Sequence, residues 1–253
     1  MFLRLVQTTI DPARMDEIRR RYAAEIIPEV EKMKGCLYAG LVQNVRKPQE
    51  VLSLTLWRQR EQAFIYVQSG LFRKLLEITR PYFADPSKWE LRLTEALELE
   101  YAPAPAEPVI REYGDPADEP GRPIPAGKTL CPYFRLVTML VQSGKVDEFR
   151  KLFMEQVLPT LTEVPGCCYV QLVQNVRHAN EFASFSVWST HEAVQNYERG
   201  GVFTLLQDVL KPTLSALYQW KMDVEEKPGQ VTATSDDMDV QSFVIVAGRS
   251  FTD

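Results

Sequence analysis

Apolar and polar positions along the first third of the chain alternate with two different periods. Phe2 to Thr9 reads as a strand that stops at Asp11-Pro12, where Asp11 is a suitable helix N-cap and Pro12 suits a first helical turn. Met15, Ile18, Tyr22 and Ile26 then recur at helical spacing, giving one apolar stripe, and Pro28 is expected to end or kink that helix. Leu37 to Val45 predicts a second strand and Val51 to Trp57 a third, with Leu52, Leu54 and Leu56 on one face and Ser53, Thr55 and Trp57 on the other. A helix from about Glu61 to Gln68 breaks at Ser69-Gly70. A shorter one, Leu71 to Thr79, closes at Pro81, and Trp89 to Leu93 is the expected fourth strand.

The pattern then repeats. Leu41-Val42-Gln43-Asn44-Val45-Arg46 returns as Leu172-Val173-Gln174-Asn175-Val176-Arg177, an offset of 131. Carrying that offset aligns Trp57 with Trp188, Trp89 with Trp220, Gly35 with Gly166, Tyr66 with Tyr197 and Pro81 with Pro212. No gap is needed between Arg4/Arg135 and Trp89/Trp220. The chain is therefore a tandem duplication whose unit is domain-sized, far longer than a solenoid repeat. In the second copy Phe134 to Val141 is the first strand and Ser143 the expected N-cap of the following helix. Ser189 with Glu192 forms a capping-box signature. Each unit reads βαββαβ with an extra helix, an α+β, ferredoxin-like plan. The expected division is residues 1–101 and 133–226 for the two repeats, 102–132 for a linker and 227–253 for a tail. Eight of the chain's 17 prolines fall in the linker, which reads as an extended strap with no central strand. Leu97 to Tyr101 and Val240 to Gly248 read as extra strands that clasp the two halves.

Charge and cysteine content narrow the function classes. A net charge of −5 argues against a nucleic-acid or anionic-membrane partner. No apolar run approaches the roughly 20 residues of a membrane span, and no signal peptide is recognisable, so a cytoplasmic location is expected. Cys36, Cys131, Cys167 and Cys168 fit neither a metal-ligand spacing nor a disulfide framework, and read as reduced thiols.

The passage Leu54-Thr55-Leu56-Trp57-Arg58-Gln59-Arg60-Glu61-Gln62-Ala63 leading to Ser69-Gly70-Leu71-Phe72 returns as Ser186-Val187-Trp188-Ser189-Thr190-His191-Glu192-Ala193 leading to Gly200-Gly201-Val202-Phe203. It resembles the antibiotic biosynthesis monooxygenase (ABM) domains of the dimeric α+β barrel superfamily. That family pairs two sheets face to face, so the resemblance implies an intramolecular dimeric α+β barrel, a pseudo-dimer within one chain. A further homo-oligomer stays open. The resemblance also implies oxygenation without metal or flavin. Triplet oxygen reacts directly only with an electron-rich, deprotonated molecule, so the implied partner is a small aromatic or quinol-type compound. The site would then bind a flat ring, take its proton and stabilise the anion.

Residues of both copies suited to that task are Asn44/Asn175 and Arg46/Arg177 as oxyanion donors, Trp57/Trp188 as ring platforms and Tyr66/Tyr197 as proton relays. Tyr38/Tyr169 are further wall candidates. Each has a plainer reading. The tryptophans suit packing wedges, the arginines suit solvated turns, and an amide late in a strand can bond neighbouring backbone. Glu25 and Glu29 become Gln156 and Thr160, so a base there would exist in the first copy only. His178 and His191 have no counterparts in the other copy, which speaks against haem ligation. A non-catalytic module holding a hydrophobic metabolite is the alternative.

Overall fold

The computed structural model describes residues 1–84, 89–93, 99–103, 107–116, 131–215 and 238–251. In the first half β1 (Phe2–Thr9) leads to α1 (Met15–Arg21), a π-helical turn (Tyr22–Ile26) and α2 (Ile27–Glu31). The hairpin β2 (Cys36–Asn44) and β3 (Glu50–Trp57) follows, then α3 (Arg60–Gln68) and α4 (Leu71–Thr79). After β4 (Trp89–Leu93), β5 (Leu99–Pro103) and β6 (Val109–Gly114), the second half repeats the order. It runs β7 (Tyr133–Leu140), α5 (Val146–Leu152), a π turn (Phe153–Val157), α6 (Leu158–Glu163), β8 (Cys167–Asn175), β9 (Glu181–Trp188), α7 (His191–Arg199) and α8 (Val202–Leu210). The last element is β10 (Met238–Ser250).

Eight strands close into an antiparallel barrel in the order β1-β3-β2-β10-β7-β9-β8-β6. This is the expected α+β pseudo-dimer of two ferredoxin-like repeats. Strand alternation builds it: Leu3, Leu5, Leu52, Leu54 and Leu56 face the barrel interior, where they meet Phe134, Leu136, Phe185 and Phe243. The opposite faces carry Trp57 and Trp188 and are covered by helices, giving each half its own sheet–helix core.

The fourth strand of the first half differs from expectation. Trp89–Leu93 pairs with Leu99–Pro103 in a separate two-stranded sheet, so Leu99–Pro103 does not clasp the other half. Beside β1 stands Val109–Gly114, from within the stretch read as a strap without a central strand, and its other edge pairs with β8. Pro108 and Pro116 lie just outside this strand, where a missing N–H removes no ladder bond. The counterpart of β6 is β10, which pairs with β7 of its own half and β2 of the other, so the expected clasp at Val240–Gly248 is present. Tyr113 lies opposite Leu3 and Phe243 opposite Phe134, and both are buried in the barrel interior. The strand expected at Trp220 lies outside the described residues.

Local details show how faithfully the unit is copied. Gly35 and Gly166 take φ of 80° and 87°, and their carbonyls accept N–H bonds from Arg58 and Ser189, both at 2.9 Å. A Cβ on Gly166 would come within 2.5 Å of the Ala193 Cβ. Gly166→Ala therefore combines left-handed strain with a clash, and is expected to lower stability by about 2 kcal/mol in a denaturant melt.

Pro28 and Pro159 do not end their helices. Each follows a π turn in which the N–H of Ile27 or Leu158 reaches back five residues, to the carbonyl of Tyr22 or Phe153. The widened turn makes room for the proline ring, and the helix runs on. At the start of α7 the cap is Thr190, not Ser189: its Oγ1 accepts the Ala193 N–H at 3.0 Å. Gln142 rather than Ser143 stands before the turn that opens the second copy's first helix.

The cysteines also depart from the reduced-thiol reading. Cys131 and Cys168 form a disulfide across 37 residues, with Cα atoms 6.8 Å apart, a proximity created by sheet topology and invisible in spacing. Cys36 and Cys167 are free thiols, and burial pushes them up to about 12 and about 11. Among the described residues no helix is long and apolar enough to cross a membrane.

Candidate active site

Each half encloses a cavity between its sheet and its helices. In the first half the cavity measures about 60 Å³, with walls that include Ile18, Ile26, Val51, Phe72 and Leu75. The π turn delivers Tyr22 to it, and β3 delivers Ser53 from the face opposite Leu52 and Leu54. The Tyr22 hydroxyl donates to the Gly40 carbonyl at 3.1 Å and lies 2.7 Å from Ser53 Oγ. Tyr66 of α3 adds a second phenol, its ring against Trp57 (5.2 Å) and Phe72 (5.9 Å). Burial drives both phenols well above the ordinary tyrosine range, with Ser53 opposing at Tyr22 and Arg4 opposing at Tyr66. They are neutral at physiological pH. The site therefore offers a largely apolar slot with hydroxyl groups to meet a substrate oxygen, and among the described residues no Asp, Glu or His lines it.

The second half has a smaller cavity, about 30 Å³, lined by Val137, Met139, Phe153, Ser184, Tyr197 and Arg135 among others. Phe153 replaces Tyr22, so the paired hydroxyls of the first cavity are absent. Arg135 supplies a charge instead. Burial lifts the Tyr197 phenol to about 12, against the lowering pull of Arg135.

Of the ten residues singled out from sequence, Tyr66 and Tyr197 line these cavities. Trp57 and Trp188 are wholly buried behind them. Their indole N–H groups donate to Thr55 Oγ1 (2.9 Å) and Ser186 Oγ (2.8 Å). Asn44 and Asn175 cap the hairpin turns. Asn44 Oδ1 accepts the N–H groups of Arg46 and Lys47, and Asn175 Oδ1 those of Arg177 and His178. The neighbouring Gln43 and Gln174 accept from Arg19 and Arg150 of the first helices and donate to the turn carbonyls of Pro48 and Ala179. The repeated hexapeptide is thus a fastener between helix and hairpin. Tyr38 and Tyr169 pack inside the barrel, away from both cavities.

Arg46 is exposed in its turn. Arg177 and Asn175 border a separate polar basin of about 220 Å³ at the β6–β8 seam, together with Arg111, Glu112, His178 and Glu181. Glu25 accepts from Arg21 at 2.9 Å and Glu29 from Lys32, and neither lines the cavity. Sequence reading passed over Tyr22, Ser53, Arg4 and Arg135. The available signal was an arginine held at the same strand position, between apolar neighbours, in both copies.

This architecture defines a dimeric α+β barrel folded from one chain. The chain belongs to the antibiotic biosynthesis monooxygenase family, whose model matches residues 1–77 and 132–208. Among solved structures it resembles a candidate monooxygenase from Lactobacillus acidophilus NCFM, with TM-score 0.63, 10% identity and coverage of 98% of this chain and 95% of the other. A second, from Fusobacterium nucleatum subsp. nucleatum, gives TM-score 0.63 at 9% identity over 98% and 94%. An anthrone oxidase-like protein gives 0.56 at 13% identity over 100% and 94%. At these identities the likeness is one of fold, extending over the whole two-copy arrangement. No curated protein matches the chain significantly. Family membership supports a monooxygenase in general terms.

Proposed function

We propose that the protein is a cofactor-independent monooxygenase that oxidises a small aromatic or quinol-type substrate with O2 in the first half's cavity. The observation that carries this reading is the Tyr22–Ser53 hydroxyl pair, set beside Tyr66 in a mostly apolar slot under α4. In this reading the apolar walls part to take a flat ring beside Phe72, and its oxygen meets a hydroxyl donor where it gains negative charge. For a methylene flanked by aromatic rings the balance is simple. One oxygen atom becomes the new carbonyl, and the other leaves as water with the two methylene hydrogens. With no carboxylate or imidazole lining the cavity among the described residues, the substrate's own acidity, enhanced by these donors, has to supply the anion.

That same lack favours the second reading, a module that holds a hydrophobic metabolite without turning it over. Oxygen uptake with a panel of hydroquinones and anthrones in chelator-treated buffer separates the two. Uptake with matching product is expected, and binding without uptake would leave only the storage reading. Tyr22→Phe is expected to lower kcat/KM about tenfold with little change in melting. It removes one hydrogen-bonding group, and the second half already folds with Phe153 at this position. The cytoplasmic location proposed alongside requires the fold to tolerate an open Cys131–Cys168 link, since disulfides are rare where glutathione keeps thiols reduced.

A further inference from the structure

The barrel closes unequally at the two seams that join its halves. β10 pairs with β2 from Phe243–Asn44 to Ser250–Tyr38. β6 meets β8 at Tyr113–Asn175 and Gly114–Gln174, with the Val176 N–H reaching the Glu112 carbonyl at 3.1 Å just beyond them. The polar basin of about 220 Å³ lies at this shorter seam and shares no lining residue with either sheet–helix cavity. Arg111 leaves β6 on the face of Tyr113 and Glu112 on the opposite face, so the basin opens in the seam itself.

The carboxylates of the basin are already engaged. Glu112 takes the Arg4 guanidinium in a part-buried ion pair, and Glu181 accepts the Tyr113 hydroxyl at 3.3 Å. The cations are not. Arg111 uses one Nη on Gln7 at 2.8 Å, and the side chains of Arg177 and His178 have no hydrogen-bond or ion-pair partner among the described residues. With Arg4 counted, three guanidiniums stand around two carboxylates. The other seam lacks this imbalance. There Gln241 takes the place of Arg111 and Ser242 that of Glu112, and Lys47, in the place of His178, pairs with Glu50 at 3.2 Å. Arg135, the equivalent of Arg4, has no Glu112 beside it and pairs with Glu198 of α7 at 3.1 Å.

We propose that this basin binds a small oxyanion of phosphate size, free or as a phosphate monoester, held between Arg111 of the first half and Arg177 of the second. Each guanidinium presents paired N–H donors that match phosphate oxygens, and the basin is polar and roomy enough to admit them together with the anion. Bound there, the anion ties β6 to the turn between β8 and β9 across the shorter seam. Closure of the barrel is then linked to the ligand, since whatever binds the closed form stabilises it. The site stands whether or not the protein consumes oxygen.

The test titrates inorganic phosphate into the full-length protein by calorimetry, with ionic strength held constant by NaCl. Saturable binding is expected with Kd on the order of 1 mM or tighter, together with a rise in the melting midpoint. Arg177→Gln changes an exposed side chain and leaves the fold intact; it should weaken binding about tenfold or more and abolish the rise. Arg111→Gln does the same from the other side of the seam. Arg177→Lys keeps the charge without the fork and falls between. Arg46→Gln, the same change in the other hairpin turn, leaves both readouts at wild-type values. Glycerol 2-phosphate separates the two sources: tighter binding than inorganic phosphate assigns the site to a phosphorylated metabolite, equal or weaker binding to the free ion. Absence of saturable phosphate binding, or equal binding by wild type and Arg177→Gln, overturns the proposal.

Discussion

Removing residues 238–253 is expected to leave a chain that cannot fold. β10 is the fourth strand of the second half and also the neighbour of β2 in the first, so its loss opens two seams of the barrel at once. It also withdraws Phe243, 1% exposed, from its contacts with Phe134 in the barrel interior. Truncating a buried phenylalanine alone costs about 3–5 kcal/mol. Two unpaired strand edges add to that, against a total stability of about 5–15 kcal/mol for an ordinary domain. The truncated chain should appear in the insoluble fraction, or lack a cooperative melt by circular dichroism. A synthetic peptide of residues 238–253 supplied during refolding should restore both. A truncated protein that stays monomeric and melts cooperatively would show that the barrel does not depend on this strand.

The tail's importance was half legible. Alternation from Val240 onwards announces a strand, read as an extra one that clasps the two halves. What misled was composition. Trp89 and Trp220 match so well that they mark the expected fourth strand, whereas Val109–Gly114 sits among prolines. Register explains the miss. Arg111 and Gln241 occupy equivalent places opposite Leu5 and Leu136, an offset of 130, so the duplication slips by one residue on the way to the last strand. An alignment held at 131 places Glu112 over Phe243 and hides the Tyr113/Phe243 correspondence.

The candidate site was less legible than the fold, for a related reason. Residues kept in both copies report what both copies need, which here is the hairpin cap of Asn44 and Asn175 and the fasteners of Gln43 and Gln174. The chemistry proposed for one half rests instead on departures from the repeat: Tyr22 against Phe153, and Glu112 against Ser242. Arg4 and Arg135 belong to both groups, alike in sequence but with different partners. In a tandem protein the matched positions therefore point to architecture and the mismatched ones to divided labour.

The tryptophans separate these two kinds of conservation most sharply. Trp57→Ala and Trp188→Ala are each expected to cost about 3–5 kcal/mol, because each removes a fully buried indole wedged between a strand end and a helix tyrosine. Trp57→Phe keeps a ring against Tyr66 and gives up the Nε1 bond to Thr55. It should cost about 1–2 kcal/mol and leave turnover at saturating substrate within about twofold of wild type. A ring platform in direct contact with substrate behaves in the opposite way, losing rate on Trp57→Phe while the melt barely moves. Denaturant melts and oxygen uptake on the same preparations distinguish the two outcomes. The geometry favours the wedge, since Tyr66 stands between the indole and the cavity and any influence of Trp57 on chemistry has to pass through that phenol.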